Sequence, residues 1–159
     1  MLERLWQLYL HDLSEFRGST PDEQGDFSRR RLTPYFDETD RRAYLVYLDA
    51  RPVGFAMVTG LGQGTKGMGE FFVVRGVRRG GIGRWVALQL LSRHPGRWEI
   101  AFQEENPGAA RFWRGVAPLV AGERWSEVRR PVPGKPEVPP DVWITLDTRV
   151  MAPRLRSPS

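Results

Sequence analysis

A short stretch of glycines and arginines, Arg78-Arg79-Gly80-Gly81-Ile82-Gly83-Arg84, follows an apolar run and precedes a helical pattern. Glycines let a backbone approach a ligand closely. The first turn of a helix offers unpaired N–H groups and a positive dipole, for which phosphate oxygens are natural ligands. The stretch therefore predicts an anion site to which the arginines add charge. The alternative is a tight turn flanked by solvated arginines.

A second glycine-rich stretch, Gly62-Gln63-Gly64-Thr65-Lys66-Gly67, matches the dinucleotide fingerprint G-x-G-x-x-G letter for letter. That fingerprint has to follow a strand and open a helix. Here the stretch leads into the β-rich run EFFVV, and it also lacks the Gly-Lys-Ser/Thr ending of a P-loop. We therefore interpret residues 60–69 as a flexible connection between two strands.

Composition narrows the classes of function. The chain has 159 residues, two histidines (His11 and His94) and no cysteine, so neither a disulfide framework, a thiolate nucleophile nor a metal site is expected. The net charge of +5 favours an anionic ligand such as nucleic acid, a phosphorylated cofactor or a membrane surface. Because neither a signal-peptide pattern nor a long apolar run is visible, we expect a cytoplasmic protein with no membrane partner.

Periodicity and turn signals then indicate the elements that position these stretches. We predict a single α/β (α+β) domain over residues 1–152, with one central mixed sheet flanked by helices, and a flexible tail over 153–159. The predicted helices are 2–17, 81–94 and 106–116, and the predicted strands are 43–49, 52–60, 69–74, 97–105, 118–130 and 141–147.

Two motifs together resemble a known family. Arg78-x-x-Gly81-x-Gly83, placed after an apolar strand, resembles the R/Q-x-x-G-x-G/A motif of the GNAT superfamily of acetyl-CoA-dependent N-acyltransferases. After the next strand, Asn106-x-x-Ala109-x-x-Phe112-Trp113 resembles the N-x-x-A-x-x-F-Y helix of the same family. A helix and a strand separate the two motifs, as they do in the family. The resemblance is good over about residues 43–116 and looser elsewhere.

The resemblance implies a strongly twisted sheet that splays into a V, with acetyl-CoA held between the third and fourth predicted strands. Backbone contacts to the cofactor would come from Phe71, Phe72 and Val73, and the pyrophosphate would lie on residues 78–84. Phe112 would pack on the acyl-carrying arm. Asn106 would hold the cofactor or orient the site, although an Asn at this position is equally suited to cap a helix.

The implied reaction is direct attack of an amine, on a small molecule or a peptide, on the acetyl thioester. An alkylamine has a pKa near 10.4, so only about one in 2,500 is unprotonated at neutral pH. A positioned base therefore contributes a factor of about 10² to 10⁴. The candidates are Glu70, Glu104 and Glu105. Glu70 leads because partial burial beside an apolar run would raise its pKa; its alternative role is an edge carboxylate paired with an arginine.

One position departs from the family pattern, because Trp113 stands where the family has a tyrosine that protonates the departing thiolate. Water or another group then supplies the proton, or activity is reduced. An alternative function is accordingly a non-catalytic acyl-CoA-binding regulatory protein. A nucleic-acid partner has only the net charge in its favour and is not expected. The sequence does not indicate the oligomeric state, and the resemblance adds only that a homodimer paired at sheet edges is common in such families.

Overall fold

The computed structural model describes residues 1–149, so the predicted domain boundary at 152 and the tail at 153–159 lie outside the described residues. The helices are α1 (Leu2–Arg17), α2 (Pro34–Asp37), α3 (Ile82–Arg93) and α4 (Pro107–Ala121), and a 3₁₀ turn covers Arg75–Val77. The strands are β1 (Arg42–Leu48), β2 (Arg51–Thr59), β3 (Thr65–Val73), β4 (Arg97–Phe102), β5 (Trp125–Arg130) and β6 (Asp141–Asp147). None of the helices within the described residues is long and apolar enough to cross a membrane.

The strands form one six-stranded sheet in the order β1-β2-β3-β4-β6-β5. All neighbouring strands are antiparallel except β3 and β4, which are parallel. The crossover between these two strands is α3, which begins at the glycine-rich stretch 78–84. The predicted single domain with a central mixed sheet flanked by helices is confirmed, and β1 and β2 form a hairpin.

Two apolar clusters cover the two faces of the sheet. The larger cluster packs α3 and α4 on one face, and Phe71 is packed against it. The smaller cluster joins α1 to the other face and contains Trp6, Phe55 and Phe72. Side chains alternate between the faces of a strand, so Phe71 faces α3 and α4 while Glu70 and Phe72 face α1.

The predicted strand over 118–130 is wrong in its first part, because α4 continues to Ala121 and β5 begins only at Trp125. The buried residues Val116, Ala117, Val120 and Ala121 recur at helical spacing and continue the apolar face of α4. Pro118 lies inside the helix without ending it. Gly122 follows as the C-cap, and its N–H donates to the carbonyl of Pro118 at 2.9 Å.

The strand β3 begins at Thr65 rather than at residue 69, so the connection from β2 is shorter than predicted. Two glycines of β3, Gly67 and Gly69, permit close packing of neighbouring side chains. A side chain at Gly69 would collide with the Tyr35 hydroxyl, and a Cβ at Gly67 would lie 2.5 Å from the Thr59 hydroxyl. The connection between β2 and β3 is therefore limited to residues 60–64, and the second half of the G-x-G-x-x-G stretch belongs to β3. The stretch leads into a strand and not a helix, as interpreted from the sequence. The one-turn helix α2, which carries Tyr35, was not predicted.

Candidate functional site

A gap opens between the parallel strands β3 and β4. Their pairing covers only Thr65–Met68 against Arg97–Ile100, although β3 continues to Val73 and β4 to Phe102. The divergence coincides with a β-bulge, because Gly69 is the one β3 residue skipped between the Val58–Met68 and Met57–Glu70 pairs. A bulge bends its strand and increases the local twist. The part of β3 after Gly69 therefore diverges from β4.

Backbone groups of β3 line this gap. The N–H of Val74 donates to the carbonyl of Val53 at 2.8 Å. Hydrogen-bonded and non-hydrogen-bonded pairs alternate along an antiparallel ladder, so Phe72 bonds to β2 while Phe71 and Val73 turn their N–H and C=O groups towards the gap. Of the three residues predicted to contact the cofactor through the backbone, Phe71 has both its N–H and its C=O group free in that direction among the described residues. Val73 has only its N–H free there, because its carbonyl accepts a hydrogen bond from the Nε of Arg78.

Aromatic side chains pack beside the gap on its α3/α4 side. The Phe71 ring stacks on Phe112 with 5.3 Å between centroids and meets the Trp113 ring edge-on at 5.3 Å. Phe112 and Trp113 are themselves 4.8 Å apart. Gly83 of α3 lies beside this cluster, because a Cβ there would be in ordinary van der Waals contact with Phe112, at 3.4 Å. The fold therefore brings residues of the two motifs, Gly83 and Phe112, together beside Phe71 of β3.

The glycine-rich stretch presents a row of unpaired donors. Among the described residues, no acceptor receives a hydrogen bond from the backbone N–H groups of residues 79–84. Arg79 and Gly81 have φ values of 71° and 84°, which place this segment of backbone in the left-handed region at the start of α3. The side chains of Arg79 and Arg84 are exposed and form no ion pair within residues 1–149. Free N–H groups, the helix dipole and two cations together suit a phosphate.

Arg78 has a different role from its neighbours in this stretch. Its Nε donates to the carbonyl of Val73 at 2.7 Å, and its Nη2 pairs with Asp12 of α1. Arg75 also pairs with Asp12, at 3.0 Å. The Arg78 guanidinium lies 5.7 Å from the centroid of the Phe72 ring, on the α1 face of the sheet. Arg78 thus connects the glycine-rich stretch to α1, and the free N–H groups begin at Arg79.

Glu70 is a buried carboxyl group at the α1 side of the gap. Only 8% of the residue is exposed. The Tyr9 hydroxyl donates to Oε2, and the Nη1 of Arg31 lies 3.4 Å from Oε1. Burial raises the pKa of Glu70, and this effect exceeds the lowering by Arg31 and by the Tyr9 hydrogen bond. Both predicted features of Glu70, partial burial and an arginine partner, are present together.

Two tyrosines that no sequence pattern singled out surround Glu70. Burial and the Glu70 charge raise the pKa of Tyr9 well above its ordinary value and that of Tyr35 to about 12. Both phenols are therefore protonated at neutral pH, and the Tyr9 hydroxyl donates to Glu70. Tyr9 lies on the apolar stripe of α1 and Tyr35 on α2. Their positions in the sequence, remote from Glu70, contained no signal that would have found them.

The other two candidate bases have different surroundings. Arg114 holds both oxygens of Glu104, at 2.8 and 2.7 Å, and lowers its pKa. Glu104 is therefore poorly suited to accept a proton near neutral pH. Glu105 lies 3.3 Å from the Nε of Arg17, which also bonds Asp141 at 2.9 Å. Glu105 thus belongs to an ion-pair cluster between α1 and the start of β6.

Asn106 caps α4, because its Oδ1 accepts a hydrogen bond from the N–H of Ala109 at 3.0 Å. This confirms the capping role that the sequence left open beside a role in the site. In the part of the chain that the structure describes, no group of three or more His, Asp or Glu side chains is placed to hold a metal ion.

Comparisons with known proteins agree with this geometry. The family model for the acetyltransferase (GNAT) family matches residues 2–116. A solved acetyltransferase from Thermus thermophilus is similar at a TM-score of 0.65 and 17% identity, covering 92% of this chain and 88% of that one. The ribosomal-protein-S18-alanine N-acetyltransferase from Escherichia coli gives 0.60 and 12%, covering 96% and 93%.

A GNAT family acetyltransferase from Elizabethkingia anophelis, solved with acetyl-CoA bound, gives a TM-score of 0.55 and 12% identity over 76% of this chain and 83% of that one. At these identities the likeness concerns the fold. No curated protein matches the chain by sequence.

Proposed function

The chain belongs to the acetyltransferase (GNAT) family, and we propose that it transfers the acetyl group of acetyl-CoA to an amine of a small molecule or a peptide. One observation carries the proposal. The row of free N–H groups at residues 79–84 continues from the end of β3, where the backbone of Phe71 and Val73 faces the open gap. The N–H groups that suit a phosphate thus follow directly after the part of β3 that is open towards the gap.

The residues along this line fit acetyl-CoA. The amide groups of its pantetheine arm match the N–H and C=O groups of Phe71 and the N–H group of Val73, which can pair with the arm as with a neighbouring strand. The apolar parts of the arm would contact the Phe112 ring. The pyrophosphate would accept hydrogen bonds from residues 79–84, with Arg79 and Arg84 adding charge. Bound in this way, acetyl-CoA supplies a thioester beside Glu70.

In this mechanism Glu70 is the base. Its Oε1 accepts the proton that the acceptor nitrogen loses as it forms the new amide bond and the carbon–sulfur bond breaks. Tyr9 holds Oε2 and so fixes the carboxylate. Burial raises the pKa of Glu70 towards the operating pH, which is where a general base is most effective. Glu104 is not assigned this role, since Arg114 binds both of its oxygens.

The experiment compares Gly81→Glu with Gly81→Ala. Both variants place a side chain at φ 84°, at a cost of about 1 to 2 kcal/mol. Only the glutamate adds a negative charge where the phosphates should bind. We therefore expect calorimetry to show acetyl-CoA binding weakened at least tenfold more by Gly81→Glu than by Gly81→Ala, a difference of about 1.4 kcal/mol or more. Circular dichroism is the control, and it should show that both variants are folded.

Transfer is tested by thiol release from acetyl-CoA across a panel of amines. The proposal expects release with at least one amine in the wild type and a parallel loss in Gly81→Glu. Undiminished acetyl-CoA affinity in folded Gly81→Glu would remove the assignment of the loop. Acetyl-CoA binding without turnover of any amine would instead favour the non-catalytic acyl-CoA-binding protein.

A further inference from the structure

Arg31 occupies an unusual position for a half-exposed arginine. It ends the polar segment that follows α1, and 57% of its side chain is exposed. Its Nη1 nevertheless lies 3.4 Å from Oε1 of the buried Glu70, without forming a hydrogen bond. Its guanidinium is also 5.7 Å from the centroid of the Trp6 ring. Arg31 therefore reaches from solvent onto the carboxylate that we assign as the base.

The two oxygens of Glu70 are not equivalent. Oε2 receives the Tyr9 hydroxyl, a buried and well-defined partner. Oε1 has no hydrogen-bond donor among residues 1–149, and the ion pair with Arg31 is its only charged contact there. An acceptor that delivers its proton to Glu70 has to bring its nitrogen to Oε1. The cation that already lies there is Arg31.

We propose that Arg31 determines acceptor specificity by occupying the position of the acceptor ammonium group, so that a cationic amine has to displace it. This inference rests on the proposed function of the Glu70 site. The ion pair is half exposed and lacks a hydrogen bond, so displacing Arg31 costs little free energy. A cationic amine can therefore replace Arg31 beside Oε1, whereas a neutral molecule gains nothing from Glu70 to offset this cost. The acceptor class is a cationic primary amine, whose ammonium group can replace the guanidinium beside Oε1.

The charge of Arg31 also affects proton transfer. Titratable groups face Glu70 from α1 (Tyr9), from the segment after α1 (Arg31) and from α2 (Tyr35). Of these, Arg31 carries the positive charge and lowers the pKa of Glu70 against the effect of burial. Removing it raises that pKa. The acidic limb of the kcat/KM profile, where the base becomes protonated, therefore moves to higher pH.

The test compares Arg31→Ala and Arg31→Lys with a matched control, Arg30→Ala. Arg30 is the adjacent exposed arginine and has no ion pair within the described residues. The probes are n-pentylamine and L-norleucine, which differ only in the carboxylate next to the nitrogen. Binding is measured by calorimetry on protein saturated with coenzyme A, so that no acetyl group can be transferred.

We expect Arg31→Ala to bind n-pentylamine about two- to fivefold more tightly than the wild type, as the loss of a half-exposed competing charge implies. Arg31→Lys and Arg30→Ala should bind like the wild type. The acidic limb of kcat/KM should move upward in Arg31→Ala alone. A purely structural role for Arg31 would not produce tighter binding together with this shift.

Two results would overturn the proposal. One is n-pentylamine binding by Arg31→Ala that is no tighter than that of the wild type. The other is a tenfold or greater loss of L-norleucine binding in Arg31→Ala with n-pentylamine unchanged, which would show that Arg31 binds the acceptor's carboxylate. Failure of the proposed function has a different signature, the absence of thiol release from acetyl-CoA in the wild type with every amine.

Discussion

Replacing Glu70 by glutamine separates the chemistry of this residue from its place in the fold. Glutamine has the same shape, and its side-chain oxygen can still accept the Tyr9 hydroxyl. The variant loses the proton acceptor and the 3.4 Å ion pair with Arg31. Because 57% of the Arg31 side chain is exposed, that ion pair contributes no more than about 1 kcal/mol. We therefore expect Glu70→Gln to fold and to bind acetyl-CoA like the wild type.

The expected effect on rate follows from the state of the acceptor. Near neutral pH only about one alkylamine in 2,500 is unprotonated, and a positioned base contributes a factor of about 10² to 10⁴. We expect kcat/KM for acetyl transfer to fall at least about 10²-fold in Glu70→Gln at pH 7. The deficit should shrink as the pH approaches the amine pKa, since solvent then supplies the free amine. Thiol release measured between about pH 6 and about pH 10 checks both points.

The free energy of unfolding should depend less on pH in Glu70→Gln than in the wild type. Burial raises the pKa of Glu70 in the folded protein. A carboxyl group with a raised folded pKa favours folding while it is protonated, and this contribution is lost as the pH rises from the unfolded pKa, about 4.3, through the folded pKa. Glutamine does not ionise. Urea unfolding should therefore show that the wild type loses more free energy of unfolding than Glu70→Gln between about pH 4 and about pH 8.

Glu104→Gln is the matched control, because Glu104 is bound by Arg114 and has a lowered pKa. It should keep the wild-type pH profile of transfer. If Glu70→Gln turned over like the wild type from about pH 6 to about pH 9, Glu70 would not be the base. Glu105 or a water molecule would then take that role.

Two further variants test the surroundings of the gap. Trp113→Phe should keep most activity and Trp113→Tyr should keep or raise it, whereas Trp113→Ala should lose about 3 to 5 kcal/mol of stability in urea unfolding because the buried ring is removed; an inactive but folded Trp113→Phe would contradict this. Asp12→Asn frees the charges of Arg75 and Arg78 and should tighten acetyl-CoA binding at low salt but not at high salt; calorimetry showing weaker binding at both would contradict it.

Sequence patterns predicted correctly those elements whose conformation depends on residues close together in the chain. Alternation and turn residues predicted β1, β2 and β6 to within a residue, and the amphipathic spacing predicted α1. The strand–glycine–helix context identified residues 78–84 as a helix start, and the N–H groups of residues 79–84 have no acceptor among the described residues. In each case the signal lies within one element and its immediate neighbours.

The errors occur where tertiary contacts override local rules. A strand is predicted from residue 118, yet Val120 and Ala121 are buried on the same face as the rest of α4 and the helix continues past Pro118. Gly67 and Gly69 indicated a loop, yet they are glycines because Thr59 and Tyr35 approach them closely within a strand. A single sequence contains no record of such neighbours. The same reason explains why the partners of Glu70 were missed, since Tyr9 lies 61 residues away from it in the chain.

The departing thiolate poses the remaining question of the mechanism, because Trp113 replaces the family's tyrosine. The tyrosines nearest to Glu70 are unsuited to the task. Burial raises the pKa of Tyr9, and it raises that of Tyr35 to about 12, so neither phenol releases a proton readily at neutral pH. Trp113 is buried and packs edge-on against Phe71, on the face opposite Glu70. A thiol has a pKa near 8.5, so its thiolate is a tolerable leaving group that solvent can protonate after the carbon–sulfur bond has broken. The proton that limits the reaction is then the one on the amine, and the residues that we propose to govern it, Glu70 and Arg31, lie together on the α1 face.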